Sequence, residues 1–206
     1  MFTHKETFGD HKIYSFDHSN TDFLSFFKSL YEEENLDNLF LKSVDYQYFK
    51  DRLDVGYLND TETDLHKIFY DKIKNDDHFK ILYCNLIREI HKEFFPDQEY
   101  ILYQSFPSIR FQYPKSIAVP PHKDSDHLSN HPLGEKNFIL PINGMKDTSS
   151  IYIESEPDKK DFKNINLDYG ELFYFNGNKC THYNEKNQEN RLRISLDFRI
   201  LLMEDY

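Results

Sequence analysis

Cysteine is scarce in this chain: among 206 residues there are two, Cys84 and Cys180. Two thiols make no disulfide framework, and neither has a partner at metal-ligand spacing. Long apolar runs are missing too. Nothing approaches the roughly 20 consecutive apolar residues of a membrane span, and the segment from Met1 to Thr7 has no signal-peptide apolar region, so a cytoplasmic location is expected. Basic residues are the minority, 25 Lys and Arg against 36 Asp and Glu, for a formal charge of −11. With no basic run to offset that balance, non-specific nucleic-acid binding is excluded as an expectation. No linker, internal repeat or low-complexity tract breaks the chain, so residues 1–206 read as one domain with a substantial core. What the chain does have is aromatic residues, 19 Phe and 15 Tyr, which suit a β-rich interior.

The chemistry-bearing residues are dispersed: His122-Lys123-Asp124, then His182, then Arg193-Ile194-Ser195. Ser108–Tyr113 reads as a strand, and Pro114, Pro120 and Pro121 after it end regular pairing, so His122 and Asp124 fall at a strand end or loop mouth. In extended chain, residues two apart point to the same side and can converge on one ion. Asp126 is an alternative carboxylate, four residues from His122 and in need of a turn. Further on, Asp168-Tyr169-Gly170 signals a turn and Glu171–Phe175 an aromatic strand. Asn176-Gly177-Asn178 reads as a tight hairpin turn. His182 then lies on a strand able to run beside the one ending at His122; a half-buried structural histidine is the competing reading. Two imidazoles and one carboxylate that leave coordination positions open are the donor set of non-haem Fe(II) oxygenases.

From Arg191 to Ile200 the sequence alternates with period two. Leu192, Ile194, Leu196, Phe198 and Ile200 take one face; Arg191, Arg193, Ser195, Asp197 and Arg199 take the other. Such a strand either turns its charges to water or lines a polar barrel interior that holds an anion. A guanidinium offers a bidentate fork for a carboxylate, and a serine hydroxyl adds a donor.

The first hundred residues read as mainly helical support. Lys12–Phe16 is a candidate edge strand. Thr21–Tyr31 has an N-cap candidate and helical spacing, and a helix from Thr63 or Asp64 runs through Lys74. Asp77–Phe95 is the clearest helix, with Phe79, Leu82, Tyr83, Leu86, Ile87, Ile90 and Phe94 on one stripe. Glu34–Thr61 is polar and weakly periodic and reads as a surface connection. Strands begin again at Glu99–Gln104. Around the candidate site, Arg110 and Gln112 could line a barrel mouth and Glu154 could form a polar wall. Asp197 and Arg199 could pair with each other's neighbours or meet substrate. His127 and His131 could face substrate or cap a loop, and with His122 they raise the option of a three-histidine site.

Together, Pro121–His127, Asn130–Pro132, Asn137–Pro141, Ile153–Pro157, Tyr169-Gly170, His182–Asn184 and Arg193–Arg199 resemble, in order, the core of small bacterial Fe(II)/2-oxoglutarate dioxygenases. The similarity is strongest to the antibiotic-biosynthesis-associated oxygenases of the streptomycin-cluster type. It spans about Ser108 to Leu201. The resemblance implies a mainly β fold, a double-stranded β-helix (jelly roll, cupin-like) over about 99–206 with helices flanking it. It implies that His122, Asp124 and His182 hold Fe(II). Arg193 would grip the distal carboxylate of 2-oxoglutarate with help from Ser195, Arg191 being the competing anchor, and Asn137 would line the co-substrate pocket. With O2, such an enzyme converts 2-oxoglutarate to succinate and CO2 and hydroxylates a small-molecule substrate such as an amino acid, a sugar or a natural-product intermediate. Two rival readings remain: a cupin-like metal-dependent isomerase or hydrolase, and a non-catalytic barrel that binds an acidic small molecule. The first leaves Arg193 and Ser195 unexplained, and cupin sites usually carry more histidine in the first motif.

Overall fold

The computed structural model describes residues 2–51, the backbone of 56–57, and residues 63–126 and 131–205. It opens with a hairpin, β1 (Phe2–Phe8) and β2 (His11–Phe16), followed by helix α1 (Phe23–Tyr31). A 3-10 turn (Leu36–Lys42) leads to α2 (Val44–Phe49), the two-residue β3 (Gly56–Tyr57), α3 (Asp64–Ile73) and α4 (Asp77–Phe94). The remainder is strand: β4 (Ile101–Tyr103), β5 (Ser108–Gln112), β6 (Ser116–Ile117), β7 (Lys136–Pro141), β8 (Ile151–Ile153), β9 (Lys163–Ile165), β10 (Glu171–Phe175), β11 (His182–Asn184) and β12 (Arg193–Leu202).

The helices follow from caps and stripes. Asp76 caps α4, its carboxylate accepting the Phe79 N–H at 2.9 Å, and Asp22 caps α1 through the Ser25 N–H at 3.0 Å. The apolar stripe of α4, from Phe79 to Ile90, is buried as its 3.6-residue period requires. The segment 36–49 departs from the surface connection expected of it. Leu36, Leu39, Phe40, Tyr46 and Phe49 are buried, with the Tyr46 ring stacked on Tyr113 at 6.0 Å. Short 3-10 and α turns place these apolar residues inward without a long helical period to announce them.

The large sheet runs β1-β2-β10-β7-β12-β4, with β5 also paired to β12. A small sheet, β11-β8-β9, faces it. Isolated bridges, His122 with His182 and Met145 with Leu167, tie the ends together; a continuous closed ladder is not formed among the described residues. The N-terminal hairpin is part of this sheet: beyond the expected Lys12–Phe16 edge there is a full outer strand β1, and β2 pairs antiparallel with β10.

Two apolar layers result. One lies between the large sheet and the helices and takes Leu192 and, from β12, Ile194, Leu196, Phe198 and Ile200 together with the α4 stripe. The other fills the space between the sheets with Ile139, Ile151, Ile153, Ile165, Phe173 and Phe175. All ten residues of β12 are buried, so its polar face looks into the interior between the sheets and not into water. The architecture is the expected jelly roll with flanking helices.

Candidate active site

His122 follows Pro120-Pro121 and makes a two-way backbone bridge with His182, N–H to carbonyl at 3.1 and 3.0 Å. That pairing brings the two rings to a centroid separation of 4.3 Å. Asp124, two residues on, enters from the same side. Its Oδ1 lies 3.3 Å from His122 Nε2 and 3.7 Å from His182 Nε2. These three donors are the group among the described residues that could hold a metal ion, all within 4.8 Å of one another. Both imidazoles are oriented from behind: His122 Nδ1 pairs with the Pro120 carbonyl at 2.9 Å and His182 Nδ1 with the Cys180 carbonyl at 3.1 Å. With Nδ1 held by a carbonyl, Nε2 of each ring is the nitrogen turned toward Asp124, the orientation a metal-binding histidine needs.

The electrostatics suit a cation. Burial acts to raise the Asp124 carboxyl, but the His122 hydrogen bond and the nearby Arg199 guanidinium outweigh it and hold the group well below the usual carboxylate range. Burial pushes His182 down to about 4, so this imidazole is neutral and free to coordinate.

The turn after β10 differs from the expected hairpin. β10 belongs to the large sheet and β11 to the small one, so residues 176–181 carry the chain across the sandwich. Glycine is required in this turn: a Cβ on Gly177 would lie 2.7 Å from the Phe175 ring and 3.1 Å from Asp124 Oδ2.

The metal-ligand candidates His122 and His182 share one cavity with Arg110, Val119, Ile139, Ile151, Phe175, Arg193, Ser195 and Asp197. Arg193 is 2% exposed, its Nε and Nη2 have no partner, and its Nη1 reaches only the Met145 sulfur at 4.0 Å. Burial and the neighbouring Arg110 charge push the guanidinium down to about 9. Ser195 Oγ, two residues on, is also buried without a partner. Buried donors left unmade are costly and rare, and an entering carboxylate is the ligand that would satisfy both side chains at once. Asp197 pairs with Arg110 at 3.3 Å through Oδ2, while its Oδ1 is unpartnered.

Several expectations are corrected. Arg191 precedes β12 and does not line the cavity; its Nη2 donates to the Gly144 carbonyl at 2.8 Å and its Nη1 sits 3.6 Å from Asp37. The period-two alternation places a side chain only within the strand, and the strand begins at Arg193. Asn137 does not line this cavity either. Its Nδ2 donates to Asp124 Oδ2 at 2.6 Å and its Oδ1 accepts the Gly177 N–H at 3.2 Å. Asp126 closes a turn by accepting the Lys123 N–H at 2.9 Å and stands outside the triad. Gln112 is held by the Glu185 carbonyl, and Glu154 accepts the Thr181 and Lys160 N–H groups; neither lines the cavity. His131 pairs with Glu135 at 3.1 Å and adds no third histidine, while His127 lies outside the described residues. Arg199, 3.2 Å from Asp124 Oδ2, was legible only as one of several arginines on the polar face of β12.

No family model matches the chain. In sequence it is similar to streptomycin biosynthesis protein StrG of Streptomyces griseus, 28% identical over 148 residues, which is 71% of this chain and 67% of StrG. In structure it is similar to EvdO2 from Micromonospora carbonacea var. aurantiaca, solved in complex with 2-oxoglutarate. That match has a TM-score of 0.54 and 11% identity, and covers 98% of this chain and 94% of EvdO2. It is also similar to SnoK, a non-haem α-ketoglutarate-dependent carbocyclase from nogalamycin biosynthesis, with a TM-score of 0.50, 7% identity and coverage of 94% and 80%. The chain shares its fold with these two solved structures. Among the described residues no helix is long and apolar enough to cross a membrane.

Proposed function

We propose that this protein is an Fe(II)- and 2-oxoglutarate-dependent oxygenase that hydroxylates a small metabolite. One observation carries the reading: the two histidines of a two-histidine, one-carboxylate triad line the same cavity as a buried guanidinium and hydroxyl whose Nε, Nη2 and Oγ have no partner. His122 and His182 through Nε2 and Asp124 through Oδ1 would hold the iron. When bound there, iron supplies with O2 the oxidation that converts 2-oxoglutarate to succinate and CO2 and places oxygen on a substrate carbon.

The rest is the work of the chain. Arg193 and Ser195 take the distal carboxylate, a local positive feature in an acidic protein, and so orient the keto-acid end toward the triad. Val119, Ile139, Ile151 and Phe175 form an apolar wall that keeps water from the reacting groups. Arg110 and Asp197 stand in the same cavity as a paired cation and anion, suited to a polar small molecule such as an amino acid, a sugar or a natural-product intermediate. The biosynthetic role in StrG's name supports that class.

The test is anaerobic addition of Fe(II) and 2-oxoglutarate to metal-free protein. The visible charge-transfer band of the iron-bound keto-acid should appear in wild type and be lost in His122→Ala. Iron binding without the band would favour a metal-dependent isomerase or hydrolase. Binding of neither would make the constellation structural.

A further inference from the structure

The two oxygens of Asp124 have different surroundings. Oδ1 faces the imidazoles. Oδ2 accepts from Asn137 Nδ2 at 2.6 Å and from Arg199 Nη2 at 3.2 Å. The two donors rise from one rung of the large sheet, since Asn137 on β7 stands opposite Arg199 on β12. Each is itself held. Asn137 Oδ1 accepts the Gly177 N–H at 3.2 Å, and the Gly177 carbonyl accepts the Asp124 N–H at 2.9 Å. Arg199 lies among three carboxylates, 3.2 Å from Asp124, 3.6 Å from Glu135 and 4.0 Å from Asp197.

The terminal torsion of an aspartate is soft, so a carboxylate attached only through its own side chain can present either oxygen, or both, to an ion. Two fixed donors on Oδ2 remove that freedom. We propose that Asn137 and Arg199 are positioning residues that fix the Asp124 carboxylate so that Oδ1 alone is offered to the metal, with Gly177 leaving the space this requires. The proposal rests on the metal-site reading above and concerns how the site is built. Neither residue lines the cavity that holds Arg193, so neither acts by touching the co-substrate.

The experiment uses Co(II) as the probe, added to the metal-free full-length chain without 2-oxoglutarate. Calorimetry reads affinity, and visible absorption reads the coordination of the bound ion. Wild type should bind one Co(II) per chain and His182→Ala should not. Asn137→Ala and Arg199→Gln should each weaken binding by about 10- to 100-fold, the usual scale for groups that orient a metal ligand, and should change the shape of the visible band. Arg199→Lys, which keeps a charged donor, should recover part of the loss. Because both donors act on one oxygen, the double variant should lose less than the product of the two single losses.

Melting temperatures of the metal-free variants separate positioning from general support. If affinity falls only in step with melting temperature while the bound spectrum stays that of wild type, the residues are structural and the proposal is overturned. Unchanged affinity and spectrum in Asn137→Ala and Arg199→Gln, with wild type binding and His182→Ala not, would also overturn it while leaving the metal site standing. If wild type takes up no Co(II), or His182→Ala binds as well as wild type, the metal reading fails first.

Discussion

The polar face of β12 has two ends in opposite states. At Arg193 and Ser195, Nε, Nη2 and Oγ are buried without a partner. Two rungs further, Asp197 is paired with Arg110 and Arg199 stands among Asp124, Glu135 and Asp197. Strand, face and burial are the same, and only the partners differ. A buried cation surrounded by acceptors fixes geometry, whereas one without acceptors is an unfavourable state of the ligand-free chain that an entering anion relieves. The contrast separates a part of the fold that holds a ligand residue in place from a part that waits for a ligand.

Substitutions at the two ends should break this symmetry in opposite directions. The largest effect is expected for Arg199→Met, which leaves three carboxylates around an apolar side chain. Removing one partner of a buried ion network costs roughly 3–5 kcal/mol, and denaturant unfolding of the metal-free protein should show a loss of that order. Arg193→Met should leave the stability of the ligand-free chain unchanged or raised, because it replaces an uncompensated buried charge with an apolar group of similar length. The same variant should raise the 2-oxoglutarate concentration needed for half-saturation by on the order of 100-fold, since truncating one side of a buried charge pair costs about 2–5 kcal/mol. Equal destabilisation by both methionine variants would erase the proposed distinction.

Ser195→Ala removes one hydrogen bond to a charged group, worth about 1.5 kcal/mol, and should raise the same half-saturation point about tenfold. Arg191→Ala is the smallest. Arg191 holds the Gly144 carbonyl outside the cavity, so its loss should shift 2-oxoglutarate dependence by less than about threefold, the scale of a change under 1 kcal/mol. A severe effect there with a silent Arg193→Ala would exchange the two assignments.

Elements with a long period were readable in the sequence. The α4 stripe, the aromatic strand Glu171–Phe175 and the alternation of β12 all form close to where the pattern places them. His122 and Asp124 were readable as a pair because extended chain has period two, and His182 because a strand follows the turn at Gly177. Pairings between distant segments were not. Nothing local in Phe2–Phe8 shows that it becomes the outer strand of the large sheet, because its partners come from β2 and, through β2, from β10. Asn137 and Arg199 carry no signal for their contact with Asp124. That contact depends on the β7–β12 register, and register is a property of two strands at once. The burial of Leu36, Leu39, Phe40, Tyr46 and Phe49 has a related reason: turns too short to show a period still carry these side chains inward.

The placement of β2 against β10 has a consequence for the order in which the molecule can be made. Ile13 lies opposite Phe173, and Leu172 opposite Tyr14, so a segment from the start of the chain finds its inner neighbour only near the end. A nascent chain would have its first hairpin ready while the edge that receives it was still unsynthesised. Pairings of such sequence separation close slowly, and until then the inner edge of β2 has open backbone groups able to pair with another chain. The helices of residues 23–94, built from local contacts, can form during that interval. The His122–Asp124–His182 triad also needs the late segments around Gly177 and His182, so it cannot assemble before they are made.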